Sequence, residues 1–211
     1  MRRTTLCLLL VALAALAGAG GTATAAPGQA FHFRISGSFA EGMWETTTTD
    51  SVTDTLILAQ QDQHGPTTLF LDMATVNFDA NGNVTGSTEL FGTALSGVSF
   101  AIDNGLAAAS TSAAVPATFC TFDADGFAIS CVDAGSVDVA AGWTGESAIT
   151  RNIVNRNEFF DGFHFVEHFN GTDKEATATS TVDGTSLGLG DLVSADLGTS
   201  KTGELIVCHS C

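Results

Sequence analysis

Tyrosine is absent from this chain of 211 residues, and basic side chains are scarce: seven lysines and arginines face 23 aspartates and glutamates. The first absence removes the favoured amphipathic contact of wet carbohydrate surfaces. The second leaves a negative field that repels phosphate backbones and anionic lipid headgroups. No nucleic-acid partner is therefore expected. The chain also lacks a Leu/Ala/Glu/Lys-rich helical segment. Beyond residue 25 no apolar run approaches the roughly twenty residues of a membrane-spanning helix. No G-x-S-x-G elbow, phosphate loop or dinucleotide fingerprint is present, so the sequence implies no cofactor.

What is present begins with an address. Arg2 and Arg3 lead into Leu6-Cys7-Leu8-Leu9-Leu10-Val11-Ala12-Leu13-Ala14-Ala15-Leu16-Ala17, and small residues follow to Ala23-Thr24-Ala25. A charged start, a short apolar stretch and an A-x-A site form the plan of a secretory signal. Cleavage is expected after Ala25, since cutting after Ala26 would place Pro27 first. Residues 1–25 are then the signal and residues 26–211 one domain, secreted and without a membrane partner after cleavage. That leaves 186 of the 211 residues, with five basic side chains (Arg34, Arg151, Arg156, Lys174, Lys201) against all 23 acids, or about −18. The acids are scattered, as at Asp50, Asp54, Asp103, Asp133 and Asp138, which suits a solvated, self-repelling surface.

The remaining chain is rich in Thr, Ser, Val, Phe and Gly, the residues of pleated strands and their turns. Period-two alternation is clear in Phe31-His32-Phe33-Arg34-Ile35-Ser36 and Ser136-Val137-Asp138-Val139-Ala140, and less clean in Thr55-Leu56-Ile57-Leu58. Such segments predict half-buried antiparallel strands. Asn81-Gly82, Asp103-Asn104-Gly105, Asp125-Gly126, Asp161-Gly162, Asn170-Gly171 and Asp183-Gly184 separate them with hairpin chemistry. The expectation is an all-β antiparallel sandwich or barrel of about ten to twelve short strands.

A faint repeat runs through the chain. Ser38-Phe39-Ala40-Glu41-Gly42-Met43-Trp44-Glu45 parallels Asp138-Val139-Ala140-Ala141-Gly142-Trp143-Thr144-Gly145. Gly105-Leu106, Ser110-Thr111-Ser112 and Phe119-Cys120 parallel Leu197-Gly198, Ser200-Lys201-Thr202 and Val207-Cys208. A duplication would give two pseudo-repeated halves sharing one core. Ala141-Gly142-Trp143-Thr144-Gly145, Phe169-Asn170-Gly171-Thr172, Ala176-Thr177-Ala178 and Val182-Asp183-Gly184 together resemble a family of small secreted bacterial all-β proteins without assigned activity. The resemblance covers roughly residues 137–205. It implies export and an all-β fold, and it transfers no catalytic residue.

Four cysteines would survive cleavage: Cys120, Cys131, Cys208 and Cys211. An even count in an exported chain favours disulfides. If Asp125-Gly126 centres a hairpin, paired positions sum to 251, and Cys120 and Cys131 satisfy this. Facing residues are close enough to bridge. A strict two-residue turn would place them at a hydrogen-bonded pair, where a bridge is less comfortable, so a wider loop of four residues is the alternative. Cys208-His209-Ser210-Cys211 forms either a small terminal disulfide loop, a redox or metal site, or one end of a cross-link such as Cys120–Cys208.

His164-Phe165-Val166-Glu167-His168 spells H-x-x-E-H, in which two histidines one helical turn apart hold zinc and the glutamate acts as base. Its surroundings predict a strand, which puts His164 and His168 on one face and Glu167 on the other. No metal site is therefore expected, with His164 and His168 the nearest candidates. Asp79-Ala80-Asn81-Gly82-Asn83 and Asp123-Ala124-Asp125-Gly126 resemble calcium loops but lack the glycine and glutamate at positions six and twelve of the helix-flanked form. Hairpin turns explain them. Trp44 and Trp143 suit a buried role beside glycine more than a sugar-stacking platform, and Asn83-Val84-Thr85 and Asn170-Gly171-Thr172 match glycosylation sequons. The sequence leads to a secreted, acidic β-domain without catalytic residues, binding an extracellular or cell-wall partner or serving a structural role. A β-barrel carrier of an apolar ligand among the phenylalanines is the first alternative. A zinc hydrolase built on His164, Glu167 and His168 is the second.

Overall fold

A computed structural model describes the backbone of residues 30–63, 65–160, 163–183, 185–186 and 190–209. It describes the side chains of 36–63, 65–153, 155, 157, 166, 168, 170–183 and 190–201. The signal segment 1–25 lies outside the described residues. The chain is all-β, and among the described residues no helix forms. The described residues form eleven strands in order: β1 (Ala30–Thr47), β2 (Ser51–Asp62), β3 (Thr67–Phe78), β4 (Val84–Ala94), β5 (Ser99–Ile102), β6 (Ala108–Phe122), β7 (Ala128–Gly145), β8 (Thr150–Phe160), β9 (Phe163–Val182), β10 (Thr185–Ser186) and β11 (Asp191–His209).

Their hydrogen-bonded order is β10-β9-β11-β1-β2-β3-β4-β6-β5, with β7 joining β6 to β9 and β8 beside β9. The path through β1, β2, β3, β4, β6, β7, β9 and β11 therefore closes on itself. Closure satisfies the backbone groups that an open sheet leaves at its edges. The matched tryptophan blocks lie on β1 and β7, and the matched cysteine blocks on β6 and β11. In this ring the first pair is five steps apart and the second three, whereas a twofold of an eight-strand ring requires four. The two similarities do not map onto one rotation.

Two compact units divide the chain: Met1–Gly37, Thr150–Thr172 and Thr199–Cys211 in one, Ser38–Ile149 and Asp173–Gly198 in the other. In the smaller unit β8 pairs with β9, and His168 Nδ1 lies 3.0 Å from Asn155 Oδ1 across that pair. Thr172 Oγ1 and Thr199 Oγ1 share a 2.8 Å hydrogen bond.

The larger unit holds the core. Alternation puts Thr55, Ile57 and Ala59 of β2 on one face, and these pair with Met73, Leu71 and Leu69 of β3. Ile57, Leu69, Leu71, Leu106, Val115, Val139, Trp143 and Leu197 are fully buried. Trp143 donates its indole Nε1–H to the carbonyl of Glu41 at 2.8 Å, a bond between β7 and β1, which are not neighbours in the ring. Leu106 enters the core from the β5–β6 turn at φ 53°, a left-handed conformation that costs a leucine strain, here held by its buried side chain. Pro116 falls where β6 leaves its β5 pairing at Ser112 and takes up β4 at Ala117, beside a bulge. A strand interior tolerates proline at such a break.

Candidate functional site

The β6–β7 hairpin carries the first predicted feature. Cys120 and Cys131 are bonded and face each other in the register, which excludes a Cys120–Cys208 cross-link. Such a bridge is compatible with an oxidising compartment. The loop is neither the strict two-residue turn nor a four-residue one. Asp123 N–H donates to the Phe127 carbonyl at 3.0 Å, enclosing three residues. Phe122 pairs with Ala128 and Thr121 with Ser130, so Ile129 is an inserted bulge residue. The bulge adds one to the sum and restores 251 at the cysteines. Their Cα atoms are 4.1 Å apart, close to the roughly 4.5 Å of the non-hydrogen-bonded pair that accommodates a bridge. The pairing followed from the sequence; the reason for it did not. Cys208 lies on β11 with its side chain outside the described residues, as is all of Cys211, so that pairing lies outside them too.

The hairpin is unusual in its exposure. All nine residues Ala128–Ser136 of β7 are exposed. Phe127 is 71 %, Ile129 66 % and Val132 56 % accessible, and Phe119 pairs with Val132. Asp123 and Asp125 stand in the turn just before Phe127, Asp123 half-buried and Asp125 exposed, while the exposed Asp133 lies on the opposite face of the hairpin from Val132.

A second feature was not legible as a site. On β2, β3 and β4 the face opposite the core carries Asp54, Asp72 and Glu89. Asp54 and Glu89 both pair with Ala74, and Asp72 pairs with Leu56 and Phe91. Asp72 is only 9 % accessible, shouldered on its own face by Leu56, Leu58, Phe70 and Phe91. Its carboxyl hydrogen-bonds Glu89, while its Oδ1 has no partner. Burial first, then the charges of Glu89 and Asp54, push the Asp72 carboxyl up to about 7. Burial also raises Glu89, against the opposing hydrogen bond from Asp72, and burial then Glu45 raise Asp54. On β1 and β11, burial and then Asp196 push Glu41 up to about 7. Asp196 is raised by burial and by Asp173 and Glu175. The acids are thus not uniformly a solvated surface. The overlooked signal was Asp72 inside the apolar run Leu69-Phe70-Leu71-Asp72-Met73.

The H-x-x-E-H segment lies in β9, and its backbone is extended. The one-turn helical spacing on which zinc peptidase geometry depends is not formed there. His168 is exposed and bonded to Asn155; the side chains of His164 and Glu167 lie outside the described residues. Among the described residues no group of three or more His, Cys, Asp and Glu side chains is arranged to hold a metal ion.

The calcium-like loops are hairpin turns. Asp79 Oδ1 accepts from the Asn81 and Asn83 backbone N–H groups at 2.8 and 2.9 Å, and the Asn83 side chain first, then these backbone bonds, lower its pKa. Asp123 Oδ1 accepts likewise from Asp125 and Phe127 at 3.0 and 2.8 Å. Gly82 and Gly126 supply φ of 82° and 83°.

Trp44 and Trp143 are both buried, as the flanking glycines suggested. Adding a Cβ at Gly42 would collide with Trp44 and press on Trp143. Among the described residues the phenylalanines do not gather in the core: Phe100 packs against it, Phe70 and Phe91 lie on the opposite face, and Phe127 is exposed. An open groove of about 500 Å³ crosses small residues including Ser112, Ala114, Ala140 and Thr181, with Asp138 at its side. No protein-family model, no curated protein and no solved structure matches this chain.

Proposed function

We propose that this chain is an exported, non-catalytic β-domain that acts by binding, and that the stapled β6–β7 hairpin is its contact surface. The observation that carries this reading is the exposed group Phe127, Ile129 and Val132 on a hairpin whose geometry the Cys120–Cys131 bridge fixes. Large apolar side chains held rigidly in water favour association, because their burial is favourable and little conformational freedom remains to be lost. The adjoining Asp123 and Asp125 of the turn select the partner's chemistry: a protein presenting an apolar cleft rimmed by lysine or arginine. The same acids, with a formal charge of −16, oppose anionic lipid and a second copy of the chain. The signal-like N-terminus and the disulfide support export.

A photo-crosslinking amino acid placed at Phe127, and as a control at Thr49, tests this in protein expressed and exported by its native host. The expected result is one discrete adduct at position 127, absent at position 49. It should be competed by added wild-type protein but not by an F127S/I129S variant. A 127–127 dimer, or equal adducts at both positions, overturns the reading. Intact mass of the protein recovered from the medium reports cleavage after Ala25, and retention in the cell with residues 1–25 attached refutes export.

A further inference from the structure

We propose that Asp72 and Glu89 share one proton across β3 and β4, forming a latch that is closed in mildly acidic medium and released above neutrality. Between Arg34 and Arg151 the sequence contains no lysine or arginine, and His64, outside the described residues, is the sole histidine there. β2 to β7 thus offer no cation to a buried carboxylate. A buried carboxylate and a half-buried neighbour without a cation cannot both ionise cheaply, so one retains its proton and donates it to the other.

The geometry assigns the roles. Ala74 pairs with Glu89 and Asp72 with Phe91, so the two acids are diagonal neighbours on one face, a separation that side chains of this length span. Asp72, the more enclosed of the two, is the donor and Glu89 the ionised acceptor, consistent with a carboxyl pushed up to about 7 at Asp72. Among the described residues, every titratable group facing this pair has the same sign. Asp54 lies on β2, and Glu45 of β1 acts on it by its charge. Asp133 lies on β7 in the cross-strand row of Asp72, and Cys120 on β6, opposite Glu89, is tied in the disulfide. Losing the proton therefore leaves two facing charges with no counter-ion.

The sign follows from linkage. The folded-state value of Asp72 lies above that of the unfolded chain, so the stabilisation is complete in acid and is lost as pH rises through about 7. Carboxyl-detected NMR of the intact chain tests this without a variant: Asp72 and Glu89 should titrate as a coupled pair with a step near 7. Amide protection factors of Leu71, Met73 and Leu90 should fall between pH 5.5 and 8. Asp72→Asn, which keeps a donor toward Glu89, should abolish the step and make that protection independent of pH. Glu89→Gln should likewise remove the coupled step. An Asp72 midpoint near 4, protection that rises with pH, or equal destabilisation of Asp72→Asn at pH 5.5 and 8 overturns the proposal.

Discussion

Replacing Trp143 by phenylalanine tests the link between core packing and ring geometry. The indole is 2 % accessible, and its Nε1–H reaches the Glu41 carbonyl at 2.8 Å over a sequence separation of 102 residues. Phenylalanine keeps the six-membered ring but removes three heavy atoms. At about 0.8 kcal/mol per buried carbon this loses about 2 kcal/mol before any cavity penalty. The Glu41 carbonyl then loses its partner in a largely desolvated place, which costs about 1–3 kcal/mol more. The expected total is about 3–5 kcal/mol, a large share of the roughly 5–15 kcal/mol that holds a domain folded. Urea unfolding followed by far-ultraviolet circular dichroism measures it, with Trp44 emission as a second probe of the core. Ile57→Val, a purely apolar loss at a fully buried site, serves as reference at about 0.5–1.5 kcal/mol. If Trp143→Phe costs no more than Ile57→Val at unchanged m-value, the bond to Glu41 contributes nothing and the reasoning fails.

Three further expectations follow from single contacts. Cys120→Ser with Cys131→Ser opens a loop whose ends are 11 residues apart and should cost about 3 kcal/mol by chain entropy; a midpoint equal to wild type in non-reducing urea would contradict this. Glu41→Gln should be near neutral at pH 5 and stabilise by about 2 kcal/mol at pH 8, because a carboxyl pushed up to about 7 loses stability as pH rises through that value; a larger benefit at pH 5 than at pH 8 would reverse the sign. Gly92→Ala drives a Cβ into the Pro116 carbonyl oxygen, so the β4–β6 pair must shift at about 1–3 kcal/mol; thermal melting that leaves Tm unchanged would show that the strands yield freely.

How much of this was legible depends on the range over which each feature is determined. Turn chemistry is local, so Asp79, Asp103 and Asp123 with their glycines announced hairpins that the backbone forms. Alternation is local too, and Val137, Val139 and Ala141 fall on the buried face as the pattern required. The Cys120–Cys131 bridge was legible because it spans one hairpin. The inserted residue Ile129 was not, since a bulge keeps the same residue types and changes only their count across the pair. The buried acids were hidden for another reason. Period two puts Asp72 and Asp54 on the outward face, where a charge is ordinarily solvated. Only the cross-strand register reveals Leu58, Phe70 and Phe91 as their neighbours.

The bulges also bear on how the exposed hairpin avoids indiscriminate pairing. β7 meets β6 along nearly its whole length, but its register with β9 begins only at Val139. The preceding stretch from Ala128 to Val137 has no second strand partner among the described residues, the kind of edge that invites strand addition. Two interruptions break it: Ile129, and Ala134 beside Gly135 at φ 79°, whose N–H is taken by Asp133 Oδ1 at 2.8 Å. Asp183 ends it, accepting from the Asp138 N–H at 3.0 Å and donating its own N–H to the Asp138 carbonyl at 2.7 Å. Backbone pairing is thereby discouraged while the side chains of Phe127, Ile129 and Val132 stay available. A surface that blocks its backbone and offers its side chains recognises by shape and apolar contact, which is the mode of binding proposed for this hairpin.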